Sequence, residues 1–301
     1  MHFDVVVVGN AGIDTNVYFH TQKIDFDRES NFTQNIDYVG QAGGYSARAF
    51  ACLNLNTAFI GSLGEDATGH WIRKTFTADC IDISGVFTDP EGTARSINFI
   101  YPDGRRKNFY DGKSHMDLMV PDECWKPILS SSKLAHFHLA NWSRQLFPFA
   151  RENKVIISSD LQDIQDPDDD YRQDYINHSD VLFFSAADLK NPENTITYLL
   201  GRNPEQIIIC GMASKGALLG TKTGIFHAPA IAFEKPVVDS NGAGDSLAAA
   251  FLSSYFFNNY SLKDSLLRGQ IAARYCCTLK ANSTDLIDKK TLDKLFHQQS
   301  R

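Results

Sequence analysis

FDVVVVGN, at residues 3–10, is an unbroken β-branched run closed by glycine, the pattern of a strand buried on both faces. Runs of the same kind recur as TAFIGSLG (57–64), KLAHFHL (133–139), KVIISSD (154–160), DVLFFSAAD (180–188) and QIIICGM (206–212). Helix-length segments lie between them at 44–56, 66–79, 145–153 and 191–202. Strand and helix in alternation predict an α/β fold, a mostly parallel sheet covered by helices. The last third reads as helical, from Ala243 to Asn258, from Leu262 to Leu279, and from Lys289 onward.

Two stretches break this rhythm. Residues 14–40 and 86–112 alternate apolar and polar positions around turn signals such as PEG and PDG. They predict paired antiparallel strands that form a small sheet, a lid over the open end of the main one. No repeat, low-complexity tract or Pro/Ser linker divides the chain, so 1–301 is read as a single domain with that lid. Exposed lid strands would also offer an edge through which two copies could form a homodimer.

Composition narrows the classes. The 301 residues are 43% hydrophobic and 22% charged with a net charge of −7, an ordinary globular balance without a basic block. Nucleic acid and anionic membranes are therefore poor partners. Six cysteines stand without CxxC or zinc spacing, which suits a reducing compartment. The N-terminal run lacks a cationic flank and no stretch is long enough to span a bilayer, so a cytoplasmic location is expected.

The chemistry concentrates in DSNGAGDSLAAAFLSSYF, residues 239–256. Gly242, Ala243 and Gly244 carry almost no side chain at the start of an apolar helix. Bare N–H groups at the positive end of a helix dipole hold a phosphate without cations. Asp245 beside such a pocket would repel the anion, but it suits a general base that takes a proton from an attacking hydroxyl. Taken alone, GAGD fits equally well two packing glycines with Asp245 as a helix cap.

The match is longer than four residues. VVDSNGAGDSLAAAF resembles the C-terminal signature of the ribokinase-like (PfkB) carbohydrate kinases, and GQAGGYSARAFACLNLNTAFIGSLGEDATGHWI resembles their N-terminal one. VVVVGNAGIDTN looks like the family's opening strand with its substrate-binding aspartate. This resemblance implies a ribokinase-like fold and transfer of the ATP γ-phosphoryl group, with Mg2+, to a hydroxyl of a sugar or related small molecule. It implies Asp245 as base and the backbone of Gly242, Ala243 and Gly244 as anion hole. Asp14, Gly43 and Gly44 fall where the family binds its acceptor, and Asp239 and Ser240 fall where many members hold a monovalent cation such as K+.

Departures from the pattern are as informative. Arg48 stands where the family has asparagine, which exchanges a neutral amide for a permanent cation on the acceptor side. Ser185 and Asp188 replace the N-x-x-E that orders water around magnesium. The nucleotide loop reads GMASKG, with Gly211, Lys215 and Gly216 as its candidate contacts. A dinucleotide fingerprint fails because Ala11 and Asp14 occupy its glycine positions. His136 and His138 alternate on a strand and face one side, but no third metal ligand is evident. A nucleoside kinase, or a sensor that binds sugar without turnover, remains the alternative.

Overall fold

The computed structural model describes residues 2–22, 24–25, 27–280 and 284–299. Lys23 and Phe26, inside the first lid stretch, and Ser300 and Arg301, at the end of the last expected helix, lie outside them. In chain order the structure runs β1 (Phe3–Val8), β2 (Gly12–Phe19), β3 (Thr33–Gly40), α1 (Ala42–Cys52), β4 (Thr57–Leu63), α2 (Ala67–Ala78) and β5 (Asp82–Thr88). Next come β6 (Ala94–Ile100), β7 (Arg106–Asp111), α3 (Asp122–Ser130), β8 (Ser132–Phe137), α4 (Phe147–Glu152), β9 (Ile156–Asp163) and α5 (Gln173–His178). The chain continues through β10 (Val181–Ser185), α6 (Pro192–Arg202), β11 (Ile207–Gly211), β12 (Ala217–Thr221) and β13 (Gly224–Ala228). Three helices close it, α7 (Ala243–Leu252), α8 (Leu262–Cys276) and α9 (Lys289–Gln299).

Among the described residues, nine strands form the main sheet in the order β13-β12-β11-β10-β9-β8-β1-β4-β5. Pairing is parallel from β5 to β11, and β12 and β13 close the edge antiparallel. Alternate residues of β1 enter two different cores. Val5 and Val7 join one with α1, α7 and α8, while Val6 and Val8 join the other with α3 and α4. Burial on both faces is why that run is continuous rather than alternating.

The lid is a separate four-stranded sheet, β3-β2-β6-β7. Its bounds differ from the expectation. β5 pairs with β4, so residues 86–88 belong to the main sheet, and β2 begins at Gly12 rather than at Asp14. The β12–β13 hairpin was not foreseen, although ALLGTKTGIFHA alternates around a polar turn. The helix expected to run from Ala243 to Asn258 is α-helical only to Leu252 and continues as a π turn over Ser253–Phe257.

Candidate active site

The site lies at the carboxyl ends of β1, β8 and β9, where α/β sheets place their ligands. α7 starts there for a local reason. Gly242, its N-cap, has φ 71°, and a Cβ on it would sit 2.6 Å from the Tyr45 ring, so only glycine fits. Ala243 donates its N–H to Ser240 O at 3.3 Å, closing a turn. Gly244 and Asp245 lie in the first helical turn, whose N–H groups have no carbonyl partner within the helix. A Cβ on Gly244 would meet nothing within 4 Å, so that glycine opens into space. Behind this turn α7 is apolar all round, with Ala248 to Leu252 fully buried, which fixes the helix start rigidly.

Asp245 is poorly served for a buried carboxylate. Ser46 Oγ, on α1, donates to its Oδ1 at 3.2 Å, and His138, just after β8, meets the same Ser46 Oγ through Nε2 at 3.0 Å. Asp160 of β9 completes the group: ligand-capable atoms of His138, Asp160 and Asp245 all lie within 4.8 Å of one another. Burial and the Asp160 charge hold the Asp245 carboxyl well above the usual range, and burial pushes Asp160 up to about 6. Burial, reinforced by His136, holds His138 well below its usual value, so this imidazole stays neutral. His136 and His138 do share a side, with ring centroids 4.7 Å apart, but His136 turns Nδ1 to Ser158 Oγ at 3.0 Å. The two histidines thus serve separate hydrogen bonds.

Asp14, 4% exposed, lies where β2 meets α1. Its donors stand far off: Gln41 N at 3.4 Å, Gln41 Nε2 at 3.3 Å and Tyr45 OH at 3.2 Å. Burial pushes its carboxyl up to about 6. Gly43 and Gly44 begin α1 beside it. A Cβ on Gly43 would lie 2.6 Å from Asn10 O, so Gly43 serves close packing of α1 on the loop after β1.

Other expected site residues fall elsewhere. Arg48 does not join Asp14: its Nε donates to Asp79 Oδ2 at 2.5 Å, and both charges act on Cys52 near Asp288. The helical turn that carries Ser46 and Tyr45 to the site carries Arg48 toward the end of α2, which corrects the expectation of an acceptor contact. Asp239 is fully buried and accepts from Asn16 Nδ2 at 2.6 Å, Tyr18 OH at 2.7 Å and Asn241 N at 2.9 Å. Three converging donors describe an acid anchored between the lid and the loop before α7. Ser185 ends β10 and its Oγ accepts from Ala187 N at 3.2 Å, while Asp188 is exposed beyond it. Gly211 ends β11 and Lys215 is exposed in the following turn. Gly216, at φ 97°, would drive a Cβ to 2.1 Å from Ala228 O, so it is required by the hairpin.

Sequence reasoning missed Ser46, Asp160, Gln41 and Tyr45. Asp160 closes KVIISSD at the ligand-binding end of a parallel strand, which was a usable signal; the others declare themselves only through contact. Arg106 reaches Asn241 Oδ1 from β7 and so ties the lid to the loop before α7.

Comparison with known proteins bears on the family and the fold. The model of the pfkB family carbohydrate kinases matches residues 3–289. Acarbose 7(IV)-phosphotransferase from Actinoplanes sp. is 28% identical over 294 residues, 97% of each chain. The solved microbiome-derived acarbose kinase is 27% identical with a TM-score of 0.90, over 99% of this chain and 100% of that one. Arabidopsis thaliana ribokinase, solved with ribose and ATP, superimposes with a TM-score of 0.82 at 21% identity, over 98% of this chain and 99% of that one, which speaks to the fold. Among the described residues no helix is long and apolar enough to cross a membrane.

Proposed function

The chain belongs to the pfkB family of carbohydrate kinases, and from that premise we propose that it phosphorylates a hydroxyl of a sugar or oligosaccharide at the expense of ATP. The observation that carries this reading is Asp245: a buried, underserved carboxylate on the first turn of α7, beside a glycine that opens into space. Asp245 takes the proton as the acceptor oxygen bonds to the γ-phosphorus and the bond to ADP breaks. The backbone of Gly242, Ala243 and Gly244 is the anion hole in this reading, with Ala243 N–H giving up its turn bond to Ser240 O, because preorganised donors stabilise developing charge. Asp14 holds acceptor hydroxyls, which replace its long hydrogen bonds to Gln41 and Tyr45 with shorter ones.

The residues fit the nucleotide and its metal. Lys215 is an exposed cation at the end of the nucleotide strand β11, and Asp188 is an exposed acid at the end of β10 that would hold Mg2+ through water. Bound with the nucleotide, Mg2+ supplies charge neutralisation of the phosphates. A cytoplasmic location is part of this reading, supported by the free cysteines and the need for ATP. The outer lid carries the exposed Ile97 and Phe109, a face suited to a lid-to-lid homodimer that light scattering would detect.

Acarbose is the first acceptor to try, because two relatives are named for it. ADP release should be measured with acarbose, ribose, fructose and nucleosides in turn. Turnover dependent on a sugar is the expected result. Tight nucleotide binding without acceptor-dependent ADP would replace the kinase with a sensor, and turnover on nucleosides alone would change the acceptor class.

A further inference from the structure

Ser46 stands between Asp245 and His138. It is fully buried on α1, donates to Asp245 Oδ1 at 3.2 Å, and lies 3.0 Å from His138 Nε2. A serine hydroxyl has one proton. If that proton goes to the carboxylate, Ser46 Oγ accepts from His138, which fixes the proton of this neutral imidazole on Nε2. Nδ1 is then a bare lone pair, and it is buried without a hydrogen-bond partner. The imidazole is itself pinned: His138 N donates to Val8 O at 2.9 Å, and a Cβ on Gly9 would lie 2.8 Å from His138 Cβ. Three elements, α1, α7 and the end of β8, thus converge in one directional chain.

We propose that Ser46 and His138 are positioning residues that hold one oxygen of Asp245 and leave the other to take the acceptor's proton. This rests on the reading of Asp245 as base. The chain is a clamp rather than a proton exit, because burial keeps His138 from accepting a second proton. Besides His138, the titratable or charged groups that act on Asp245 are Asp160 from β9 and Arg106 from β7, and Asp245 in turn acts on Cys276 of α8. Asp160 opposes the anion; Ser46 and Arg106 favour it.

The test needs no acceptor. Protein labelled with 13C at aspartate carboxyls is titrated by NMR, with the Asp245 signal identified by its loss in Asp245→Asn. Ser46→Ala should move its midpoint up by about one pH unit, the worth of a hydrogen bond to a carboxylate. Ser46→Thr, which keeps the hydroxyl, should return the midpoint to the parent value. His138→Leu should move it in the same direction by less, and His138→Gln, which can present an amide donor near Nε2, should restore it. With an acceptor in hand, the acid limb of kcat should move to higher pH in Ser46→Ala while KM for ATP holds. An unmoved midpoint in Ser46→Ala overturns the proposal. Should that variant not fold, an unmoved midpoint in His138→Leu does so. Full turnover by Asp245→Asn would instead remove the base and leave the titration standing.

Discussion

Asp239 and Asp245 sit six residues apart, flanking one glycine-rich turn, and the fold treats them in opposite ways. Asp239 receives three donors at 2.6, 2.7 and 2.9 Å from the lid strand β2 and from its own loop. Asp245 receives a serine at 3.2 Å and faces another carboxylate. Both carboxyls are raised by burial, but around Asp239 the neighbours Asn241, Tyr18, Arg106 and Asn16 all oppose that rise, whereas in Asp245 a second acid, Asp160, adds to it. A buried acid with short bonds is a fixture of the architecture, while one with long bonds is held ready for a ligand or proton. The first latches the lid to the loop before α7; the second is the base we propose.

The largest expected effect follows from the second acid. Asp245→Asn should lower kcat by about 10²–10⁴, the usual range for loss of a general base, with nucleotide affinity close to the parent's. Stability should move the other way. A carboxyl whose folded pKa is raised stabilises fully below its unfolded value of 3.8 and loses that contribution as pH rises through the folded value. Removing it should therefore raise the melting temperature at pH 8 and leave it unchanged near pH 4. Near-parent turnover would break the contrast between the two acids.

Asp239→Ala tests the other side. It leaves Asn16 Nδ2, Tyr18 OH and Asn241 N without their acceptor, at a cost of about 2–4 kcal/mol. Denaturant unfolding should register that loss. If stability holds while turnover falls as far as in Asp245→Asn, Asp239 belongs to the chemistry and the division fails.

The same contrast explains what could be read from the sequence. β1 and β8 to β11 were legible because burial on both faces leaves an apolar run, and α7 because glycines precede an apolar stretch. Asp245 was legible because backbone chemistry at a helix start is local. Ser46 was not, since a serine two residues past a glycine pair gains its meaning only when α1 packs against α7 and the end of β8. Arg48 misled for the same reason. Position in a motif located the residue on α1, but a turn of helix decides which neighbour its side chain meets, and Asp79 caps the end of α2.

Asp14 falls with Asp245 by its long bonds, with donors at 3.2–3.4 Å and a carboxyl near 6. Its folded value exceeds the unfolded 3.8, so it stabilises below about pH 4 and that contribution drains away as pH rises to about 6. Asp14→Asn should accordingly gain about 1–3 kcal/mol at pH 7 and nothing near pH 4. Acceptor KM should rise in the same variant. A stability gain without a change in KM would move Asp14 from the ligand-ready class to burial strain alone.

The smallest effect belongs to Arg48, and it sharpens the comparison by supplying a charge that lies outside both acids. Its side chain is 12% exposed and that of its partner Asp79 is 27% exposed. A pair with that much access to water contributes little, so Arg48→Asn should cost about 0.5–1 kcal/mol and lose most of that difference in high salt. With its side chain 12% exposed, its aliphatic stem is also packed, so part of the loss should persist when charge is screened. Acceptor choice should not change: the ratio of kcat/KM for acarbose to that for a neutral monosaccharide should match the parent's, because the guanidinium is committed to α2 and not to Asp14. A shifted ratio would mean that the Asp79 pair opens when substrate enters, and Arg48 would then join Asp14 on the acceptor side.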